Sequence, residues 1–197
     1  MPVVKESLSI DKLLEPRQEC SLRLPEARVP FGDPADMTDH VDCATHIALL
    51  APIPKEHIES APTKLQKVNR VAFGSRNWDV FFKLDQERDG KPVDVYIYES
   101  YGSGQYDFRV SWHARYLQNV AAINGAHPDK MVYRPDSTAK CPGDNEGGDW
   151  LLFWEVDSLQ EIAEEDRLHV GAFTPFGKKK PYGNSFVPRG PMLIMHP

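Results

Sequence analysis

Hydrophobic and polar positions change rhythm several times between Thr45 and Met195. His46-Ile47-Ala48-Leu49-Leu50 is a short apolar run, the pattern of a buried strand, and Pro52 and Pro54 close it. Residues 54–60 then read as a short helix with Pro54 near its first turn. Residues 67–73, with Val68 and Val71-Ala72-Phe73, predict a second strand that Gly74-Ser75 breaks. Trp78, Val80, Phe81 and Leu84 recur with the spacing of an amphipathic helix over 77–86. Asp89-Gly90 marks a turn. Val93-Asp94-Val95-Tyr96-Ile97-Tyr98 is β-branched and aromatic, the clearest strand in the chain. Residues 108–120 alternate as a further strand, and 150–156 (WLLFWEV) form a strongly apolar one. Asp157 or Ser158, followed by acids, reads as the cap of a helical turn. Met192-Leu193-Ile194-Met195 closes the pattern as a last short strand.

Strands outnumber helices and the turns carry Gly and Pro. The pattern therefore predicts an α+β domain over 43–197, built as a small, mostly antiparallel β-barrel with flanking short helices. Residues 1–42 hold five prolines (Pro2, Pro16, Pro25, Pro30, Pro34) and read as an irregular N-terminal extension.

Composition narrows the class. The chain has 197 residues, and its 4 Trp, 7 Tyr and 9 Phe argue against disorder. No run approaches the roughly 20 apolar residues of a membrane span. The first sixteen residues lack a long apolar core, so no signal peptide is expected, and the 3 cysteines are too few for a disulfide scaffold. A soluble, cytoplasmic protein is expected, with no cofactor and no membrane partner.

Net charge is −6, from 23 Lys plus Arg against 29 Asp plus Glu, which argues against sequence-blind coating of nucleic acid. The charge is unevenly spread. Residues 144–166 carry acids with no Lys or Arg, whereas 167–197 carry Arg167, Lys178, Lys179, Lys180 and Arg189 with no acid. Lys64, Lys67, Arg70, Arg76, Lys83 and Arg88 add a second basic segment. These read either as solvated loops or as a local anion-binding face on an acidic body.

The runs IALLAPIPKEHIES, KVNRVAFGSRNW, VDVYIYES, VSWHARYLQNV and WLLFWEVDSL, together with Tyr98-Glu99-Ser100 and Ala114-Arg115-Tyr116, resemble the PUA-like superfamily, nearest to its EVE and ASCH domains and an uncharacterised archaeal branch. The resemblance covers roughly 45–195. It implies a small β-barrel whose cleft binds RNA or a flipped or modified base, and, for some ASCH proteins, an amidohydrolase acting on acylated cytidine. No catalytic lysine, glutamate and threonine can be assigned to matched positions, so no catalytic residue is carried over.

Candidate chemistry follows from a few constellations. His40, Cys43 and His46 are spaced three apart, but Cys141 lacks a paired partner to complete a zinc set, so no metal is expected. No Walker, G-x-S-x-G or H-E-x-x-H motif is present. Asp94 and Glu99 lack the following E-x-K of a nuclease and differ in strand parity. Trp78, Tyr98, Trp112, Trp150 and Trp154 are either core or stacking surfaces for bases. Ser75 and Arg76, between a strand and a helix, read either as a plain capped turn or as an anion contact. Lys178, Lys179, Lys180, Tyr182 and Asn184 read either as a solvated loop or as a backbone-tracking element for a single strand.

The expected function is therefore binding of RNA or DNA, with one extruded or modified base in an aromatic-lined cleft. Ser75, Arg76, Trp78, Tyr98, Ser100, Trp112, Lys178, Lys179, Lys180, Tyr182 and Asn184 are its candidate contacts. Two alternatives stand beside it: an amidohydrolase on a modified nucleoside, and a protein-interaction module of a phage or defence system using the acidic block.

Overall fold

The computed structural model of the chain describes residues 46–100, 108–140 and 148–197; the extension expected over 1–42 lies outside the described residues. In chain order the regular elements are β1 (Ile47–Ile53), α1 (Lys55–Val68), β2 (Val71–Ser75), α2 (Trp78–Glu87), β3 (Val93–Glu99), β4 (Val110–Ala121), β5 (Leu152–Glu161) and β6 (Met192–Met195), with short 3-10 turns between β4 and β6. The strands form one mixed sheet in the order β2-β5-β4-β3-β1-β6. The α+β class expected from the pattern is what the structure has.

Strand β1 runs parallel to β3, and every other neighbouring pair is antiparallel. A parallel pair needs a crossover connection, which α1, β2 and α2 supply. The sheet is open: β2 and β6 are its edges and do not pair with each other, so strand pairing does not close the expected barrel. It nonetheless curls. Asn77, just beyond β2, reaches Gly190, just before β6, so closely that a Cβ built on Gly190 would lie 2.8 Å from the Asn77 amide nitrogen. Both edges are covered. The Ala72 N–H donates to the Tyr133 carbonyl (2.8 Å), and the Met195 N–H donates to the Thr174 carbonyl (2.8 Å).

The period-2 alternation sorts the side chains into two layers. On one side Ile47, Leu49, Val95, Trp112, Tyr116 and Trp154 pack with Ile58 and Ala61 of α1 and Phe81 and Leu84 of α2. On the other, Ala48, Leu50, Tyr98, Val110 and Ile194 pack with Val170 and Phe173 from the segment before β6. The central strand β1 serves both layers, which explains its continuous apolar run.

Three expected boundaries are corrected. The helix expected to stop near Ser60 runs to Val68 and carries Pro62 inside it; its buried Ile58 and Ala61 hold it to the sheet, and Asn69 ends it in a left-handed conformation. The strand expected from Lys67 therefore begins only at Val71. The helical turn expected at Asp157 or Ser158 is strand instead, because β5 continues to Glu161 along β4. A register shift there, with Ser158 at φ 51°, inserts one residue and returns Leu159 to the same core as Trp154 and Val156.

Candidate binding pocket

A cavity of about 420 Å³ opens where β1 and β3 end, lined by Pro52, Tyr98, Ser100, Phe108, Pro188, Arg189 and Gly190. That size suits a small-molecule or nucleotide pocket. Its walls come from four chain segments, and each is positioned by local chemistry.

Tyr98 comes from β3. Ile97 pairs with Trp112, but Tyr98 pairs with Val110, so Ser111 is an extra residue on β4. This bulge places Val110 in the same layer as Tyr98 while Trp112 stays in the layer of the helices. The Tyr98 side chain is almost wholly buried, and its hydroxyl has no hydrogen-bond partner. Burial pushes its ionisation far above the ordinary tyrosine range, so the phenol stays neutral and keeps its donor proton.

Ser100 follows β3, and its N–H donates to the Ile53 carbonyl at 2.9 Å, extending the β1–β3 ladder to the pocket wall beside Pro52. Phe108 enters β4 at φ 48°, a left-handed conformation that a bulky side chain rarely adopts. Its carbonyl accepts from the Val170 N–H at 2.8 Å, which holds the strained residue in place. Such strain clusters at functional sites. The 188–190 segment is pressed against Asn77 through Gly190. Arg189 is exposed and forms no ion pair with a described residue.

Of the candidate contacts read from the sequence, the structure brings Tyr98 and Ser100 into this pocket. Trp112 is corrected: it is 8% exposed and belongs to the core beneath the helices, on the face opposite Tyr98. Ser75 is buried, and its Oγ accepts the Asn77 N–H at 3.1 Å, so it serves the turn before α2. Arg76 pairs with Asp149 at 2.9 Å and lies over the Trp150 ring. Trp78 is 44% exposed on the first turn of α2, next to Asn77. Tyr182 stacks on Phe186 at 3.8 Å, partly buried. Lys178, Lys179 and Lys180 are exposed on the loop between the Phe173 turn and Tyr182, and Asn184 is exposed between Tyr182 and Phe186. Sequence reading missed Pro52, Phe108, Pro188, Arg189 and Gly190; the signal available was Pro-Arg-Gly-Pro (188–191) in the acid-free tail.

The other cations separate by partner. Lys64 pairs with Asp136 (2.6 Å), Arg70 with Glu155 (2.9 Å), Arg88 with Asp85 (2.6 Å) and Arg115 with Asp157 through two bonds of 2.8 and 2.7 Å. Lys178, Lys179, Lys180 and Arg189 have no such partner among the described residues. Arg167 of the same tail pairs with Glu161 (2.9 Å), so within the tail the three lysines and Arg189 are left to meet an external anion.

Two polar clusters lie outside the pocket. Glu155, buried on β5, accepts from Arg70, Gln118 (3.0 Å) and His127 (3.3 Å). Burial raises its pKa, but these bonds and the Arg70 charge outweigh burial and hold it below the ordinary glutamate value. The cluster ties the 126–134 segment to β2 and β5, with Arg70 over the Tyr133 ring at 3.9 Å. Asp94 bridges His113 (2.8 Å) and His196 (2.6 Å), which pins the chain end after β6 to β3. Burial again opposes, and the two histidines prevail, lowering its pKa.

Among the described residues no His, Cys, Asp or Glu group of three or more is arranged to hold a metal; His40, Cys43 and Cys141 lie outside them. No described helix is long and apolar enough to cross a membrane. No protein-family model matches the chain, and no curated protein matches it.

Proposed function

We propose that this chain is a nucleic-acid-binding domain that receives one base in the pocket beside Tyr98, on a PUA-like framework. The observation that carries the reading is one cavity lined both by Tyr98, whose buried hydroxyl has no hydrogen-bond partner, and by Arg189, which has no ion pair with a described residue. A neutral phenol donates a hydrogen bond to a ring carbonyl or ring nitrogen. Ser100 supplies a second hydroxyl, Phe108 and the two prolines supply apolar walls, and Arg189 faces a phosphate. The lysines at 178–180 add a salt-sensitive contribution to the backbone.

The amidohydrolase alternative receives no support from the lining, which among the described residues contains no carboxylate, lysine or histidine. The acidic-face alternative is weakened because Asp149, Glu155, Asp157 and Glu161 pair with arginines of the same chain.

The test is equilibrium binding of modified and unmodified single-stranded oligonucleotides at several salt concentrations. Binding at low salt is expected. The slope of log K against log salt is expected to shrink by about 0.7 for each phosphate contact removed, as in Arg189→Ala. No binding at low salt to any oligonucleotide, or an unchanged slope in Arg189→Ala, overturns the reading.

A further inference from the structure

A second surface stands next to the pocket. Trp78 (44% exposed) and Phe82 (54% exposed) are four residues apart on α2, so their rings share one face one turn apart. Two large aromatics left in water on a helix whose opposite face is core need a reason, since single exposed apolar residues are ordinary but adjacent ones mark an interaction surface. Their position supplies it. Asn77, the residue before Trp78, is the one that packs against Gly190 of the pocket wall, so the aromatic turn adjoins the wall that carries Arg189. Asp79 and Arg76 share this end of the helix, and Arg76 is already paired with Asp149. The surface thus offers ring faces, with exposed Asp79 and Lys83 on the same helix and exposed Arg189 on the adjoining wall.

We propose that Trp78, extended by Phe82, is a stacking platform for the nucleotide next to the one held in the pocket, so that the ligand is a stretch of single strand and not an isolated nucleotide. This rests on the pocket reading above. A ring stacks on any base without reading its edge, so the platform contributes affinity and direction of the strand, while the pocket contributes selectivity.

Calorimetric titration of each nucleoside 5′-monophosphate and of single-stranded homopentamers tests it, using the wild-type chain, Trp78→Ala and Trp78→Phe. Thermal melting confirms that these exposed substitutions leave the fold intact. Wild type is expected to bind a pentamer more tightly than the matching monophosphate. Trp78→Ala is expected to lose about tenfold in pentamer affinity with monophosphate affinity unchanged, and Trp78→Phe to keep most of it. Unchanged pentamer affinity in Trp78→Ala, or equal loss for both ligands, overturns the platform and leaves the pocket standing. Wild-type chain that binds neither ligand overturns the pocket and the platform together.

Discussion

Replacing Tyr98 by Phe separates what the pocket does for binding from what it does for stability. The ring stays, so its packing against Val110, Leu50 and Phe173 is kept and no cavity opens. Only the hydroxyl leaves, and that hydroxyl is buried without a partner. A buried donor left unpaired costs about 1–3 kcal/mol. Tyr98→Phe is therefore expected to stabilise the free protein by about 1 kcal/mol, raising Tm by about 2–4 °C in a chain of this size. Urea unfolding checks it: the midpoint should move up with an unchanged slope m. The same substitution removes a hydrogen bond from the ligand, so nucleotide affinity should fall, by about 0.5–1.5 kcal/mol. Stability gained and binding lost in one variant is the signature of a polar group kept for a ligand. A destabilised Tyr98→Phe would mean instead that the hydroxyl is satisfied within the folded protein and is not held for a ligand.

Three further outcomes are expected. Glu155→Gln weakens the Arg70–His127 cluster and should cost about 3 kcal/mol at neutral pH; because the folded pKa of Glu155 is depressed, its stabilisation is present above about pH 4.5 and is lost as pH falls through the lower folded value, so the variant's stability should depend less on pH in that acid range. Trp112→Ala should cost about 3–5 kcal/mol in denaturant titrations as a core deletion; a neutral effect on stability with lost binding would restore it to the site. Gly171→Ala should destabilise by about 1–3 kcal/mol, measured by thermal melting, because its Cβ would stand 2.2 Å from the carbonyl oxygen of Gly183, whose N–H donates to the Gly171 carbonyl (2.8 Å) just after the lysine loop.

The strands of this chain were legible where local pattern and tertiary partner agree. Met192–Met195 is found where the apolar run places it, and Val93–Glu99 extends the expected strand by one residue. Local signals failed where a distant partner decided. Asp157 and Ser158 look like a helix cap, yet pairing with His113 and Arg115 keeps the chain extended and absorbs the mismatch as a bulge. The local pattern predicts only a short helix over 54–60, yet burial of Ile58 and Ala61 holds α1 to the sheet and it runs through Pro62 to Val68. Tyr98 and Trp112 both read as aromatic strand residues, and the pairing of Trp112 with Ile97, the neighbour of Tyr98, puts them on opposite faces. Most of the pocket was invisible for the same reason: Pro52, Phe108 and the 188–190 segment meet through the fold, and no spacing in the sequence joins them.

Amide chemical-shift mapping during titration with nucleoside 5′-monophosphates locates the ligand. Shifts are expected at Tyr98, Ser100, Phe108, Arg189 and Gly190, with Ile58 and Leu84 in the helix-side core unmoved. Shifts confined to the lysines at 178–180, or no shift at the pocket amides at saturating ligand, would contradict binding in the pocket.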